Sequence, residues 1–206
     1  MLGEFAPVLT AAAGATVDAA FAVTFTEDSA WRAAITGIKA GATAGTATPL
    51  ASAAWAAAAG RITFNPAQAT QLQTSGSKVL VISATGYADV AVTQALAVGV
   101  AAKLGIATQP VGPATGGGVL ATQPVVRVQD QYGNTVTTST ATVTAEVEAG
   151  TGSWTLGGTL LRSAVLGVVT FTDLTAARSG GVASGARIRF RSGSLTAALS
   201  GTFTVP

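Results

Sequence analysis

Charged and apolar side chains alternate one for one from Arg187 to Arg191, with Ile188 and Phe190 set between three arginines. A period of two puts the guanidinia on one face of an extended strand, about 7 Å apart, and the apolar pair on the other. No helix satisfies that pattern. Shorter stretches of the same kind recur: Val126 and Val128 alternate with Val125, Arg127 and Gln129, and Glu146 and Glu148 flank Val147. Turn formers intervene about every 8–12 residues, and Asp130-Gln131-Tyr132-Gly133-Asn134 is a clear cluster of them. Many short strands at that spacing describe an antiparallel sandwich. The 31 threonines and 25 glycines suit twisted sheet and tight turns, whereas 44 alanines make thin core material of a hydrophobic fraction of 49%.

Composition then removes most chemistries. The chain has no histidine and no cysteine, and its one methionine is Met1. Zinc fingers, thiol nucleophiles, disulfide frameworks, Ser-His-Asp triads and haem ligated by His, Cys or Met all need missing residues, which leaves only Tyr87 or Tyr132 as a haem ligand. No cofactor, no bound metal and no catalytic residue is expected. Eleven basic residues face nine acidic ones; the first half, to Gly99, holds four basic against five acidic, and the second seven against four. Neither half has the Lys/Arg density of a nucleic-acid binder. No apolar stretch reaches the roughly 18 residues of a membrane span. Met1-Leu2-Gly3 lacks the basic-then-apolar order of a secretory leader.

A break at Val98-Gly99-Val100-Ala101-Ala102 predicts two domains, 1–99 and 100–206, each large enough to fold alone and joined by a short connection. In the first, strands are expected at 20–25, 62–64, 78–84 and 88–97, with an irregular strand over 51–59. A short helix near 29–36, capped by Asp28 or Ser29, would turn Trp31 and Ile35 inward. Its expected core is Phe21, Val23, Phe25, Trp31, Ile35, Val79, Val81 and Tyr87. In the second, runs at 103–108, 125–129, 141–149, 153–156, 165–174, 185–191 and 194–205 predict six or seven strands, with Val126, Val128, Val147, Phe171, Ile188 and Phe190 inside.

Residues 101–206 resemble bacterial immunoglobulin-like repeats of the invasin and intimin type. The resemblance is carried by Lys103-Leu104, Thr108-Gln109-Pro110, Gln123-Pro124-Val125-Val126-Arg127-Val128-Gln129-Asp130 and Tyr132-Gly133-Asn134-Thr135-Val136. Gly167-Val168-Val169-Thr170-Phe171-Thr172-Asp173-Leu174 and Ser192-Gly193-Ser194-Leu195-Thr196 complete it. It implies a fold and a mechanical role in tandem surface arrays, not a ligand. Residues 7–96 resemble the haemoglobin-interacting module of bacterial haem-acquisition surface receptors. Here the matching blocks are Phe25-Thr26-Glu27-Asp28-Ser29-Ala30-Trp31-Arg32-Ala33-Ala34-Ile35-Thr36, Ala84-Thr85-Gly86-Tyr87-Ala88-Asp89 and Val92-Thr93-Gln94. Residues 41–59 depart from that pattern, reduced largely to Ala, Gly and Thr. Together the two resemblances imply an all-β chain of two tandem antiparallel β-sandwich domains, immunoglobulin-like, the first with a short helix.

Several constellations invite a functional reading. Arg187, Arg189 and Arg191 form either a basic stripe for acidic glycan or phosphate, or one side of a cross-strand ladder with Glu146 and Glu148. Read as glycosidase acids, Glu146 and Glu148 lack the raised pKa that burial would give one of them. Asp130 with Asn134, or Glu27, Asp28 and Asp89, offer oxygens for calcium but no regular loop of carboxylates. Lys39, Lys78 and Lys103 with Asn65 and Asn134 are the residues available for an internal isopeptide bond. Trp55, in a small-residue loop, and Trp154, between Gly152 and Leu156, are the aromatic candidates for an exposed interface.

The expected function is a non-enzymatic extracellular structural or adhesive module of a bacterial surface protein or filament. Its partner is expected to be protein, through self-assembly or neighbouring repeats, with a glycan or host protein as other partners. Capture of a haemoglobin-type protein, or service as a virion surface or decoration protein, are the alternatives.

Overall fold

The computed structural model describes residues 5–149, 151–178 and 180–206, and the chain divides into two compact units, Met1–Gly99 and Val100–Pro206. The leader reading at Met1-Leu2-Gly3 lies outside the described residues. Nearly all regular structure is antiparallel sheet, with one short α-helix and a few 3-10 turns.

The first unit runs β1 (Leu9–Thr10), β2 (Phe21–Phe25), α1 (Ser29–Ala34), β3 (Ile35–Gly41), β4 (Thr48–Pro49), β5 (Trp55–Ala58), β6 (Arg61–Phe64), β7 (Gly76–Ala84) and β8 (Val90–Leu96). Two four-stranded sheets result, ordered β1-β2-β6-β5 and β4-β3-β7-β8. Phe21, Val23 and Phe25 of β2, Ile62 and Phe64 of β6, Ile38 and Ala40 of β3, and Leu80 and Ile82 of β7 are buried, as alternation requires. Phe21 stacks on Phe64 with ring centroids 5.2 Å apart, and Phe25 meets Trp31 edge-on at 5.0 Å. Asp28 is the residue that caps α1, accepting the Trp31 N–H at 2.9 Å.

Four expected core residues are only half-buried. Ile35 leaves the helix to begin β3, pairing with Ala84, so only Trp31 of the expected pair points wholly inward. Val79 falls on the face of β7 opposite Leu80 and Ile82, and Tyr87 follows the turn at Thr85-Gly86. Val147 ends its strand at the last pair of a ladder. Strand β3 went unread because Gly37, Lys39 and Gly41 dilute its apolar signal, although Ile38 and Ala40 anchor it.

The first strand changes sheets. β1 pairs with β2 through Leu9 and Phe25, the chain turns at Gly14 with φ +64°, and residues 15–17 then run beside the end of β8. There the Ala97 N–H donates to the Ala15 carbonyl at 2.9 Å and the Val17 N–H to the Ala97 carbonyl at 3.0 Å. At the crossing sits Gln94, wholly buried. Its Oε1 accepts the Ala12 N–H at 2.8 Å, and its Nε2 donates to the carbonyls of Ala12 at 2.9 Å and Ala95 at 2.7 Å. A side-chain amide thus completes a backbone ladder where the strand switches partner.

The second unit runs β9 (Lys103–Thr108), β10 (Gly118–Val119), β11 (Val125–Gln129), β12 (Thr142–Val147), β13 (Trp154–Gly157), β14 (Leu161–Ser163), β15 (Val168–Thr170), β16 (Thr175–Arg178), β17 (Ala183–Ala186), β18 (Ile188–Arg191), β19 (Ala198–Leu199) and β20 (Phe203–Val205). One sheet is β15-β11-β9 and another β14-β12-β18-β19, with shorter ribbons β10-β16-β13 and β17-β20. The first strand of the unit thereby shares a sheet with β11 and β15, while β14, β18 and β19 join β12 in the other, a distribution of strands over two sheets as in an immunoglobulin-like sandwich. Val126, Val128, Phe171, Ile188 and Phe190 are wholly buried, with Phe171 and Phe190 rings 5.5 Å apart. The run at 165–174 is not one strand: a two-residue turn at Leu166-Gly167 precedes β15, and β16 follows separately.

Candidate interaction surfaces

Register places Glu146 opposite Arg189 and Thr144 opposite Arg191. The ion pairs run diagonally across that ladder. Arg189 grips both oxygens of Glu148, its Nη2 lying 2.6 Å from Oε1 and its Nε bonding Oε2, while Arg191 reaches Glu146 at 3.5 Å. Arg187 donates its Nε to the Ser200 carbonyl at 2.7 Å. This face thus sets three guanidinia against two carboxylates, with Arg189 and Arg191 ion-paired and Arg187 bonded to a backbone carbonyl.

The hydrogen bond from Arg189 holds the Glu148 carboxyl below the ordinary carboxylate range. Asp173 is held down likewise, first by the Thr159 hydroxyl and further by Arg162. A depressed folded pKa stabilises above the unfolded value and loses that contribution as pH falls through the folded one. The second unit is therefore expected to melt at falling temperatures as pH drops below about 4, where free carboxylates take up protons. Thermal unfolding of Glu148→Gln should show a shallower acid slope than the unaltered chain. An identical slope refutes the assignment.

Trp154 corrects the sequence reading. It is buried within β13, packs edge-on against Phe203 at 5.5 Å and donates its indole N–H to the Thr151 hydroxyl at 3.1 Å. Burying its ring against Phe203 satisfies both its apolar body and its polar tip, which leaves nothing to offer a partner. Trp55 opens strand β5 instead of lying in a loop, pairs with Phe64 and stays half-buried. β5 borders its sheet with the uncharged sequence Trp55-Ala56-Ala57-Ala58, and its register partner is β6.

Of the acidic residues weighed for calcium, Asp130, Glu27 and Asp28 are engaged locally. Asp130, wholly buried, accepts the backbone N–H groups of Tyr132 and Asn134 at 2.9 Å each and the Asn134 amide at 2.8 Å. Glu27 accepts from Arg32 at 3.0 Å and from the Gly60 N–H at 2.6 Å. Among the described residues no group of three or more acidic side chains is placed to hold a metal ion. Of the lysines, Lys78 donates to the Thr74 hydroxyl and Lys103 to the Gln131 carbonyl.

Two apolar features of the second unit escaped the sequence reading. Leu166, at φ +50°, and Gly167, at φ +74°, form a two-residue turn closed by reciprocal bonds between Val165 and Val168 of 2.8 and 3.0 Å. Positive φ at both positions is the type I′ hairpin, where Asn-Gly is the favoured pair. Val165 is 74% exposed and Leu166 71%. Elsewhere on the unit, Pro110, Val111, Pro113, Phe203 and Pro206 line a shallow groove. The signal for the turn was a Leu-Gly pair between two valines, which reads as strand unless the glycine is taken as a hairpin residue.

Residues 9–97 match the model of one protein family, described as heme-binding protein Shr-like, Hb-interacting domain. No curated protein matches the chain by sequence. Among solved structures it is similar to the D00-D0 domain of intimin, at 12% identity over 93% of either chain, with a TM-score of 0.41. A β-glycosidase from Bacteroides vulgatus is 11% identical over 95% of this chain and 24% of its own, with a TM-score of 0.41. A glycosyl hydrolase family 2 member from Bacteroides cellulosilyticus DSM 14838 is 12% identical over 94% of this chain and 25% of its own, also at 0.41. The chain spans about a quarter of the length of those two glycosidases.

Proposed function

We propose that the chain is a non-enzymatic extracellular module of a bacterial surface protein, in which the first unit recognises a protein of haemoglobin type and the second serves as an immunoglobulin-like structural element. The observation that carries this reading is the family match over residues 9–97, which takes in every strand of the first unit. The scarcity of charge supports it too: with 10% charged residues and no histidine, the molecule is suited to contact through shape and backbone more than through ionic or catalytic groups.

Immobilised full-length chain titrated with haemoglobin should give saturable binding, and haem alone should not compete. An absence of saturable haemoglobin binding at about 100 μM, a concentration at which even weak specific complexes form, overturns the reading. Within it, Trp55 at the border of the first sheet supplies an aromatic anchor. Trp55→Ala is expected to weaken binding about tenfold or more, whereas Trp55→Phe keeps most of it. Circular dichroism of both variants separates lost contact from lost fold.

A further inference from the structure

The first unit leaves a gap along one flank. β4 pairs with only Lys39 and Ala40 of β3, and the Leu50 N–H adds one bond to the Ile38 carbonyl at 2.8 Å. The chain then turns away. Among the described residues, 35–37 have β7 on one side and no strand on the other. β4 cannot drift to cover them, because the Gln71 amide donates to the Thr48 hydroxyl at 3.0 Å and the Pro49 carbonyl at 3.1 Å.

The gap is a shallow concavity of about 360 Å³ lined by Gly37, Ile38, Lys39, Pro49, Leu50 and Ser83. That volume lies at the low end for ligand pockets and suits a short piece of chain better than a bulky cofactor. β3 and β7 shift register between Ile35 and Gly37, and the Thr36 hydroxyl donates to the Ser83 carbonyl at 3.1 Å. Ile38 and Leu50 are buried and supply an apolar floor. Lys39 is exposed at the rim, and among the described residues no carboxylate pairs with its ammonium. Open strand backbone, an apolar floor and an unanswered cation together fit an extended segment that carries an acid.

Residues 50–54 take the chain directly from the β4 border of one sheet to the β5 border of the other. Leu50 and Trp55 are therefore no more than about 18 Å apart. An interface of ordinary size, about 800 Å² on each partner, spans both.

We propose that this flank is where the first unit meets its protein partner, the gap beside β3 taking a short extended segment of the partner and Lys39 pairing with an acidic side chain on it. The inference rests on the reading of the first unit as a binder of a haemoglobin-type protein. The segment takes over the line of β4, antiparallel to β3. As a rim charge, Lys39 acts chiefly on encounter rate and salt dependence.

Immobilised full-length chain is titrated with haemoglobin. Lys39→Glu should bind about tenfold or more weakly at about 50 mM salt, and the difference should shrink severalfold at about 500 mM. A Cβ on Gly37 meets open space, so Gly37→Val should melt like the unaltered chain. By filling the gap it should still weaken binding about fivefold or more. Arg127→Glu makes the same charge change on an exposed strand position of the second unit and should bind as the unaltered chain does. Full binding by folded Lys39→Glu or Gly37→Val overturns this placement and leaves the haemoglobin reading standing. Equal weakening by Arg127→Glu also overturns it, because net charge and not location would then be at work. No saturable binding by the unaltered chain overturns both.

Discussion

Gln94→Ala is expected to destabilise the first unit by about 3 kcal/mol, the sum of a small cavity and two backbone groups left without their partner. Gln94 alone supplies both a donor and an acceptor to Ala12 at the point where the first strand passes from one sheet to the other. Gln94→Leu fills the volume but answers neither group, so about 2 kcal/mol of the loss should remain. Hydrogen exchange localises the effect. Amides of residues 11–17 and of the end of β8 should lose protection first, while those of β6 follow only global unfolding. Equal loss of protection across the unit would mean that Gln94 is ordinary packing.

In the second unit the corresponding large effect belongs to Asp130. Its buried carboxylate closes the turn between β11 and the following segment by accepting from two backbone N–H groups and one side-chain amide. Asp130→Ala strands these donors at a cost of about 3 kcal/mol. Asp130→Asn keeps one oxygen on the two backbone donors and opposes its own amide to that of Asn134, so it should lose about a third as much. Urea unfolding that ranks the two variants equally would show that the negative charge, and not the acceptor geometry, is what the turn requires.

How far the sequence could be read depended on where side-chain pattern determines backbone. The strands β2, β9, β11 and β18 were legible because one face of each is apolar and the other polar. The capped helix was legible from Asp28 and Trp31. β3 was not, since glycines at two of its seven positions and Lys39 between them remove the contrast that alternation needs, and its place in the sheet is decided by β7. Gln94 was readable in hindsight: it falls in step with Val90, Val92 and Leu96, and a polar residue at an inward position must find a buried partner. Trp154 misled because its place on a short strand beside Gly152 suggested exposure, while contact with Phe203, nearly fifty residues on, decides its burial. The arginine stripe was visible from one strand, but its two carboxylate partners are visible only when β12 and the residue after it are laid beside it.

The switched first strand has a consequence for load. In the first unit Thr16 and Ala97 lie side by side in parallel, and in the second Lys103 and Thr196 do the same. Each unit therefore holds an early and a late segment that point the same way. Tension applied between those two segments slides them past one another instead of peeling them apart, so the bonds joining Ala15 and Val17 to Ala97 yield together, and so do those joining Ala102 and Leu104 to Thr196. A zipper fails one tooth at a time; a shear joint resists until all its bonds give way at once.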